Sequence, residues 1–327
     1  MGRAQAGQIQ TVCGPIAPAD LGFTLPHEHI YARLWDNQVV ATAGWGEMFG
    51  AIPMPEEVLR EEVSAYRRLG GAAIVDVTLP AIGREPARLR EISAATGVHV
   101  VMGCGWYREP FYPAEDAIDR RTVDDLAAVL VREITDGVGE TGVRPGVIGE
   151  IGANNGWVTA LEERVHRAAA RASLATGLAL TTHSSWSPVG LAQLRIFEEE
   201  GVDPSRVAIG HCDSWLQLDY YLAIAERGAH VQFDGLGVWT IGKNTDRYER
   251  AMVEMILELI DRGHADRILL SHDVFAAPQF RYYDGTGYVY IFETFLPGLR
   301  ERGVSEEVIH RITVENPARL LTVGATG

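Results

Sequence analysis

The sequence predicts an α/β fold of the (β/α)8 type, a TIM barrel. Short runs of β-branched and apolar residues alternate along the chain with longer amphipathic segments, which is typical of parallel strands connected by helices. Eight such strand–helix units fit within the 327 residues, a length that single barrels commonly have. The alternation alone also fits an open, doubly wound sheet, but the number of units favours the closed barrel.

The predicted elements can be read off in chain order. Several of the helices are followed by Gly, because Gly adopts the left-handed conformation that ends a helix. The predicted strands cover residues 23–25, 72–77, 98–102, 147–151, 178–182, 207–210, 230–233 and 268–271. The clearest helices cover residues 56–69, 123–134, 161–176, 189–200 and 250–262.

We expect the whole chain, residues 1–327, to form a single domain, because no stretch has the composition of a linker. Residues 1–20 are predicted to form an N-terminal hairpin. Residues 305–327 are predicted to form a closing helix and a tail.

The composition predicts a soluble, cytoplasmic protein. The chain has 29 Lys and Arg against 44 Asp and Glu, a net charge of −15, whereas nucleic-acid binding requires clustered positive charge. No stretch reaches the roughly 18 apolar residues of a membrane helix, and the N-terminus lacks the apolar run of a signal peptide. The three cysteines show no metal or disulfide spacing, as expected in a reducing compartment.

Side chains of the types that bind metals follow the ends of several predicted strands, where barrel enzymes carry their chemistry. His27 and His29 form an HxH pair, and residues two apart in an extended chain face the same side. Each residue alone also fits a surface or hydrogen-bonded core side chain; together they predict a metal centre. The full set is His27, His29, Glu150, His183, His211 and Asp273.

Six ligands exceed the three or four that one tetrahedral zinc site takes. They suit two divalent ions, roughly 3.5–4 Å apart, that share a carboxylate and a hydroxide. Two ions lower the pKa of a bridging water and polarise the oxygen of a carbonyl or phosphoryl group. Mixed imidazole and carboxylate donors suit Zn first, and also Mn, Co or Fe.

The motifs LPHEH, GEIG, TTH, IGH and SHD occur in this order along the whole chain. This set resembles the phosphotriesterase family of the amidohydrolase superfamily. The resemblance implies a (β/α)8 barrel with a binuclear metal centre, a small-molecule substrate and a homodimer. It also implies that His27, His29 and Asp273 bind the more buried ion, and that His183 and His211 bind the more exposed one.

Three positions depart from the best-known phosphotriesterases. Those enzymes bridge their metals with a carbamylated lysine where this chain has Glu150, as in the phosphotriesterase-homology branch. Gly235 stands where they have a basic residue, and Ser214 stands where they have an acidic one. A proton relay leading outward from Asp273 is therefore expected to be absent, which disfavours efficient organophosphate hydrolysis.

Aromatic and cationic side chains near the strand ends are the candidates for substrate binding. Trp106 and Tyr107 follow the third strand, and Tyr107 matches a family tyrosine that leans over the metals; both also fit aromatic packing at the rim. The aromatic-rich segment after Asp273 is predicted to cover the substrate and contributes Arg281 and Tyr283. Arg281, together with Arg108 and Lys243, could meet an anionic substrate.

The leading hypothesis is hydrolysis of a carboxylic ester, lactone or amide by metal-bound hydroxide. Asp273 would be the general base and acid, because a carboxylate that binds a metal can accept the proton of the water. Hydrolysis of phosphoesters or phosphotriesters is the second hypothesis, since the same metal pair supports it. The third is a non-catalytic, ligand-binding barrel, which would not need all six ligands.

Overall fold

A sheet of eight parallel strands forms the centre of the computed structural model, which describes residues 2–34, 54–154, 156–237 and 245–325. Neighbouring strands follow chain order, so the predicted (β/α)8 TIM barrel is confirmed. An antiparallel hairpin of β1 (Ile9–Thr11) and β2 (Gly14–Ile16) precedes it. The barrel strands are β3 (Thr24–Glu28), β4 (Ala73–Asp76), β5 (His99–Cys104), β6 (Val147–Gly152), β7 (Leu180–His183), β8 (Val207–Ile209), β9 (His230–Phe233) and β10 (Ile268–Leu270).

Helices connect successive strands and pack around the outside of the sheet. No helix in the described ranges is both long and apolar enough to cross a membrane. The connecting helices are α1 (Glu56–Arg68), α2 (Pro86–Thr96), α3 (Val123–Asp136), α4 (Ala160–Thr176), α5 (Gly190–Glu199), α6 (Leu218–Ala225) and α7 (Thr245–Asp261). Three short ones follow: α8 (Leu296–Glu301), α9 (Glu306–His310) and α10 (Asn316–Leu321).

Local sequence explains where the helices beside the site begin and end. Both α3 and α4 start with a capping box, in which the side chains of Thr122 and Thr159 accept hydrogen bonds from the main chain of Asp125 and Glu162. The carboxylates of these two acids accept hydrogen bonds in return. Helix α4 ends at Gly177, whose φ of 76° lies in the left-handed region.

One end of the barrel is closed by the two ends of the described chain. Val75, Val101 and Val147 of the sheet pack against Ile9 of the hairpin and Leu321 of α10. These side chains are at most 1% exposed, so this end is filled with apolar groups. Chemistry is therefore left to the opposite end, where the strands terminate.

The barrel closes between β3 and β10 through irregular hydrogen bonds. The main-chain N–H of His27 donates to the Ser271 hydroxyl (3.0 Å), and that of Asp273 donates to the His27 carbonyl (3.3 Å). The His29 N–H then donates to the Val274 carbonyl (3.2 Å). These bonds bring the candidate ligands His27 and His29 beside the candidate ligand Asp273, which is distant along the sequence.

Glu28 is the side chain that completes this closure, and it is fully buried. Its Oε1 accepts hydrogen bonds from the Ser271 hydroxyl and the His272 N–H, each at 2.8 Å. Its Oε2 accepts one from the Val274 N–H, also at 2.8 Å. A buried carboxylate with several donors is well solvated by the protein, and it satisfies main-chain groups that no strand reaches.

We expect Glu28→Gln to lower the free energy of unfolding by about 2 kcal/mol, because the amide NH2 that replaces one carboxylate oxygen would face a donor instead of accepting from it. Urea denaturation of the variant and of the exposed control Glu226→Gln measures the difference. A loss at Glu28 no larger than that at Glu226 would contradict the role in closure.

Candidate metal centre

The six predicted ligands meet at the carboxyl ends of the strands. Two come from β3 and the residue after it, one each from β6 and β7, and two from the segments that follow β8 and β10. None is more than 8% exposed, although all are polar. In chain order the six are His27, His29, Glu150, His183, His211 and Asp273.

The carboxylate of Glu150 lies at the centre of this cluster. Its Oε2 is 3.4 Å from His27 Nε2 and 3.1 Å from His183 Nδ1. The same oxygen is 3.5 Å from His211 Nε2, whereas Oε1 is 3.5 Å from His29 Nε2. The carboxylate therefore lies within reach of all four histidines, a central position from which it could be shared by two ions.

The donor atoms form two overlapping groups of three. His27, His29 and Asp273 make one group, and His27, Glu150 and His211 make the other; within each, the donor atoms lie within 4.8 Å of one another. Asp273 Oδ1 is 3.2 Å from His29 Nε2 and 3.7 Å from His27 Nε2. Nitrogen and carboxylate donors at this spacing could bind a divalent transition-metal ion.

The arrangement of the imidazole nitrogens indicates that the cluster fits a cation. His27 Nε2 is buried and has no hydrogen-bond partner within the described parts of the chain. His183 Nδ1 and His211 Nε2 face each other at 2.7 Å. Because imidazole binds metals through its lone pair, nitrogens that converge in this way favour a shared cation over separate hydrogen bonds.

The electrostatics also favour positive charge. Burial lowers the pKa of His29, but hydrogen bonding to Asp273 and the charge of Glu150 outweigh it and raise that pKa to about 9. Burial raises the pKa of Glu150, but the hydrogen bonds of His183 and neighbouring histidines hold it well below its ordinary value. Burial prevails at Asp273 and raises the pKa of its carboxyl group. Two carboxyl groups thus differ in basicity within one site.

A further carboxylate, which the sequence analysis missed, orients two of the histidines. Asp234 follows β9, and its Oδ1 is 2.7 Å from His211 Nδ1 while its Oδ2 is 3.2 Å from His27 Nδ1. On the opposite side, the Thr78 hydroxyl lies 2.9 Å from His29 Nδ1. Holding the outer ring nitrogen fixes the tautomer and leaves the inner nitrogen free for a metal. The signal was available, because Asp234 directly follows an apolar strand as the ligands do.

Two candidate ligands have backbone conformations that side chains rarely adopt. His211 has φ 54° and Asp273 has φ 57°, both in the left-handed region. Such residues cost of order 1–3 kcal/mol each and cluster at functional sites. Here the turn directs each side chain back over the end of its own strand.

The two aromatic candidates after β5 differ in their placement. The Tyr107 hydroxyl lies 3.3 Å from His183 Nδ1, and burial raises the pKa of this tyrosine, so it keeps its proton. The indole N–H of Trp106 donates to Asp116 Oδ2 at 2.6 Å instead. Within the described residues, Tyr107 contacts the candidate ligands and Trp106 packs in the core.

The structure does not bring Arg281 and Tyr283 to the ligand cluster. Arg281 lies beside α1 in a groove that Glu61, Glu62 and Tyr282 also line. Tyr283 packs edge-on against Tyr282, with ring centroids 4.9 Å apart. By this point the chain has left the mouth of the barrel. The number of residues after Asp273 could not predict this direction. Substrate binding by these two residues stays a prediction that their placement does not favour.

Part of the aromatic segment after Asp273 is packed into the fold, and coverage of the substrate by this segment stays a prediction. Phe280 is 2% exposed and Tyr288 is fully buried, with the Tyr288 hydroxyl donating to the His29 carbonyl at 3.2 Å. These aromatic residues fill the space between β3 and the last helices. Lys243, the remaining predicted cation, lies outside the described residues.

Comparison with known proteins agrees with this geometry. Residues 7–321 match the model of the phosphotriesterase family. The chain belongs to that family. The solved phosphotriesterase homology protein of Escherichia coli, complexed with phosphate in its active site, is 34% identical, with a TM-score of 0.82 over 92% of this chain and 99% of that one.

Two further family members carry the names of hydrolases. An N-acetyltaurine hydrolase from Danio rerio is 31% identical over 97% of this chain and 98% of its own length. A lactonase from Listeria monocytogenes has 28% identity and a TM-score of 0.87 over 97% of this chain and 100% of that one. The family is metal-dependent, and this chain has His, Glu and Asp groups that could bind a metal ion.

We expect Asp234→Asn to weaken metal binding about 10- to 100-fold, the usual effect of losing a carboxylate that orients a ligating histidine. Competition with a chromogenic chelator measures the affinity, and the exposed Asp261→Asn is the matched control. Equal affinities of the two variants would contradict the orienting role.

Glu150→Gln is expected to lower metal occupancy, because it removes a negative charge that two cations would share. Elemental analysis after dialysis compares ions per chain with the wild type and with Glu226→Gln. Unchanged occupancy in the Glu150 variant would contradict the bridging assignment.

Proposed function

We propose that this hydrolase uses two divalent ions to cleave a carboxylic ester, a lactone or an amide. The observation that carries the proposal is the central position of the Glu150 carboxylate, which lies within 3.5 Å of the ring nitrogens of all four candidate histidines. By resemblance, His27, His29 and Asp273 hold one ion, and His183 and His211 hold the other. Zn suits these donors first, and Mn, Co or Fe suit them as well.

Divalent ions bound here supply Lewis acidity and lower the pKa of water to near neutrality. The protein supplies proton transfer and orientation. Asp273 is suited to accept a proton from the attacking water and return it to the leaving group, since its carboxylate lies beside His27 and His29 within the ligand cluster. The protonated Tyr107 hydroxyl, beside His183, can donate to the substrate carbonyl oxygen. Water thus adds across the acyl C–O or C–N bond.

The named relatives support a carboxylic substrate. One acts on N-acetyltaurine, which is an amide, and another on lactones, which are cyclic esters. In both reactions water attacks a carbonyl carbon, and an oxygen or nitrogen leaving group is expelled. This shared chemistry is what we transfer to the present chain, without either specific substrate.

Phosphoester hydrolysis is the second candidate, because the E. coli relative holds phosphate in its active site. The outer part of the site disfavours phosphotriesters. The Ser214 hydroxyl donates to the His211 carbonyl at 2.7 Å, and Gly235 donates its N–H to Asp213 at 2.7 Å. Neither position carries the second proton acceptor of the best-known phosphotriesterases.

A panel of lactones, N-acyl amino acids, phosphomonoesters and phosphotriesters, assayed with Zn, Mn or Co, tests the proposal. Turnover of lactones or amides above phosphoesters supports it, and the reverse order favours the second candidate. About two ions per chain are expected from elemental analysis. A chain that binds no ion and turns over nothing would instead be a ligand-binding barrel.

Asp273→Asn should lower kcat by about 10²- to 10⁴-fold on any substrate found, since the amide cannot accept the proton of the water. Metal content and the thermal unfolding midpoint are measured alongside, with Asp119→Asn as an exposed control. Retention of more than about a tenth of wild-type kcat, with metals in place, would rule out the role.

A further inference from the structure

Arg108 places a fixed positive charge at the edge of the candidate site. Its guanidinium group lies 4.7 Å from the centre of the Tyr107 ring and 5.0 Å from that of Phe111. The Tyr107 ring in turn packs against His183, with centroids 4.9 Å apart. Stacking on aromatic rings holds the plane of an arginine and leaves its N–H donors available at the edge.

The described part of the chain offers Arg108 no carboxylate partner. Its Nε is buried and makes no hydrogen bond there, and no ion pair involves it. The neighbouring acids are engaged elsewhere: Glu109 accepts from the Thr159 hydroxyl, and Glu162 accepts from the N–H groups of Asn154 and Thr159. In a chain of net charge −15, a cation that has no paired acid at the edge of the candidate site indicates that its partner is an anionic ligand.

The strand that carries Glu150 makes room for this side chain. A Cβ atom at Gly152 would lie 2.6 Å from Arg108 Cγ and 2.7 Å from the Tyr107 carbonyl. Only glycine therefore lets the arginine stem pass close to β6. Arg108 is thus positioned by packing against the same strand that provides the bridging candidate.

We propose that Arg108 binds a carboxylate on the substrate, so that the preferred substrates are amides or esters with an anionic group a short chain away from the cleaved bond. This inference rests on the proposed function and narrows its substrate class. Arginine pairs with a carboxylate through two parallel hydrogen bonds, which fixes orientation as well as charge. Arg281 cannot serve this purpose from its groove beside α1.

The test uses two matched probes, N-acetyl-β-alanine and its uncharged carboxamide, N-acetyl-β-alaninamide. Hydrolysis of both is measured for the metal-loaded wild type, Arg108→Met, Arg108→Lys and the control Arg195→Met, which alters an exposed arginine on α5. Calorimetry measures binding of both probes to the metal-free full-length proteins. Thermal unfolding shows whether each variant is folded, and Arg108→Lys replaces Arg108→Met if the latter is not.

We expect the wild type to prefer the acid, and Arg108→Met to lose about 10- to 100-fold in kcat/KM on the acid alone, mostly through KM. Arg108→Lys should retain part of the preference for the acid, and Arg195→Met all of it. Absence of turnover combined with Arg108-dependent binding of the acid would support the anion site and contradict amide hydrolysis as the reaction. Equal kcat/KM of the wild type on the two probes, or an equal loss of kcat/KM on both probes in Arg108→Met, would overturn the inference.

Discussion

The closure of the barrel between β3 and β10 is the constraint on which the site depends. In a regular ladder the main-chain groups of neighbouring strands pair with each other. Here the fully buried carboxylate of Glu28 accepts hydrogen bonds from Ser271, His272 and Val274 instead. Its neighbours on either side are His27 and His29. Strand β3 and the residue after it therefore close the barrel with one side chain and offer candidate metal donors with the two side chains beside it.

The fold and the clustering of the six candidate ligands were predictable because both follow from short-range patterns. Apolar runs with β-branched residues marked the strands, and a polar side chain directly after such a run has only one end of the barrel to occupy. His183 and Asp273 were found by this rule. Asp234 obeys it equally and was missed, because it binds no metal itself in the family pattern and acts through His211 and His27.

Long-range packing decided what the sequence left open. An aromatic-rich stretch has the same sequence pattern whether it covers a substrate or fills a core. The burial of Phe280 and Tyr288 shows that these two side chains belong to the core. The positions of Arg108 and Arg281 differ for a similar reason. Arg108 comes four residues after the end of β5 and packs beside Tyr107, whereas Arg281 comes after a series of short turns and lies in a groove beside α1.

The hydrogen bonds that shut the barrel join residues 244 positions apart, which has a consequence for biosynthesis. At about 5–20 residues per second, β3 leaves the ribosome roughly ten seconds to a minute before β10 exists. During that interval its outer edge has no partner, and unpaired strand edges promote aggregation. The growing chain therefore depends on protection of this edge, and the complete ligand set becomes available to an ion only near the end of translation.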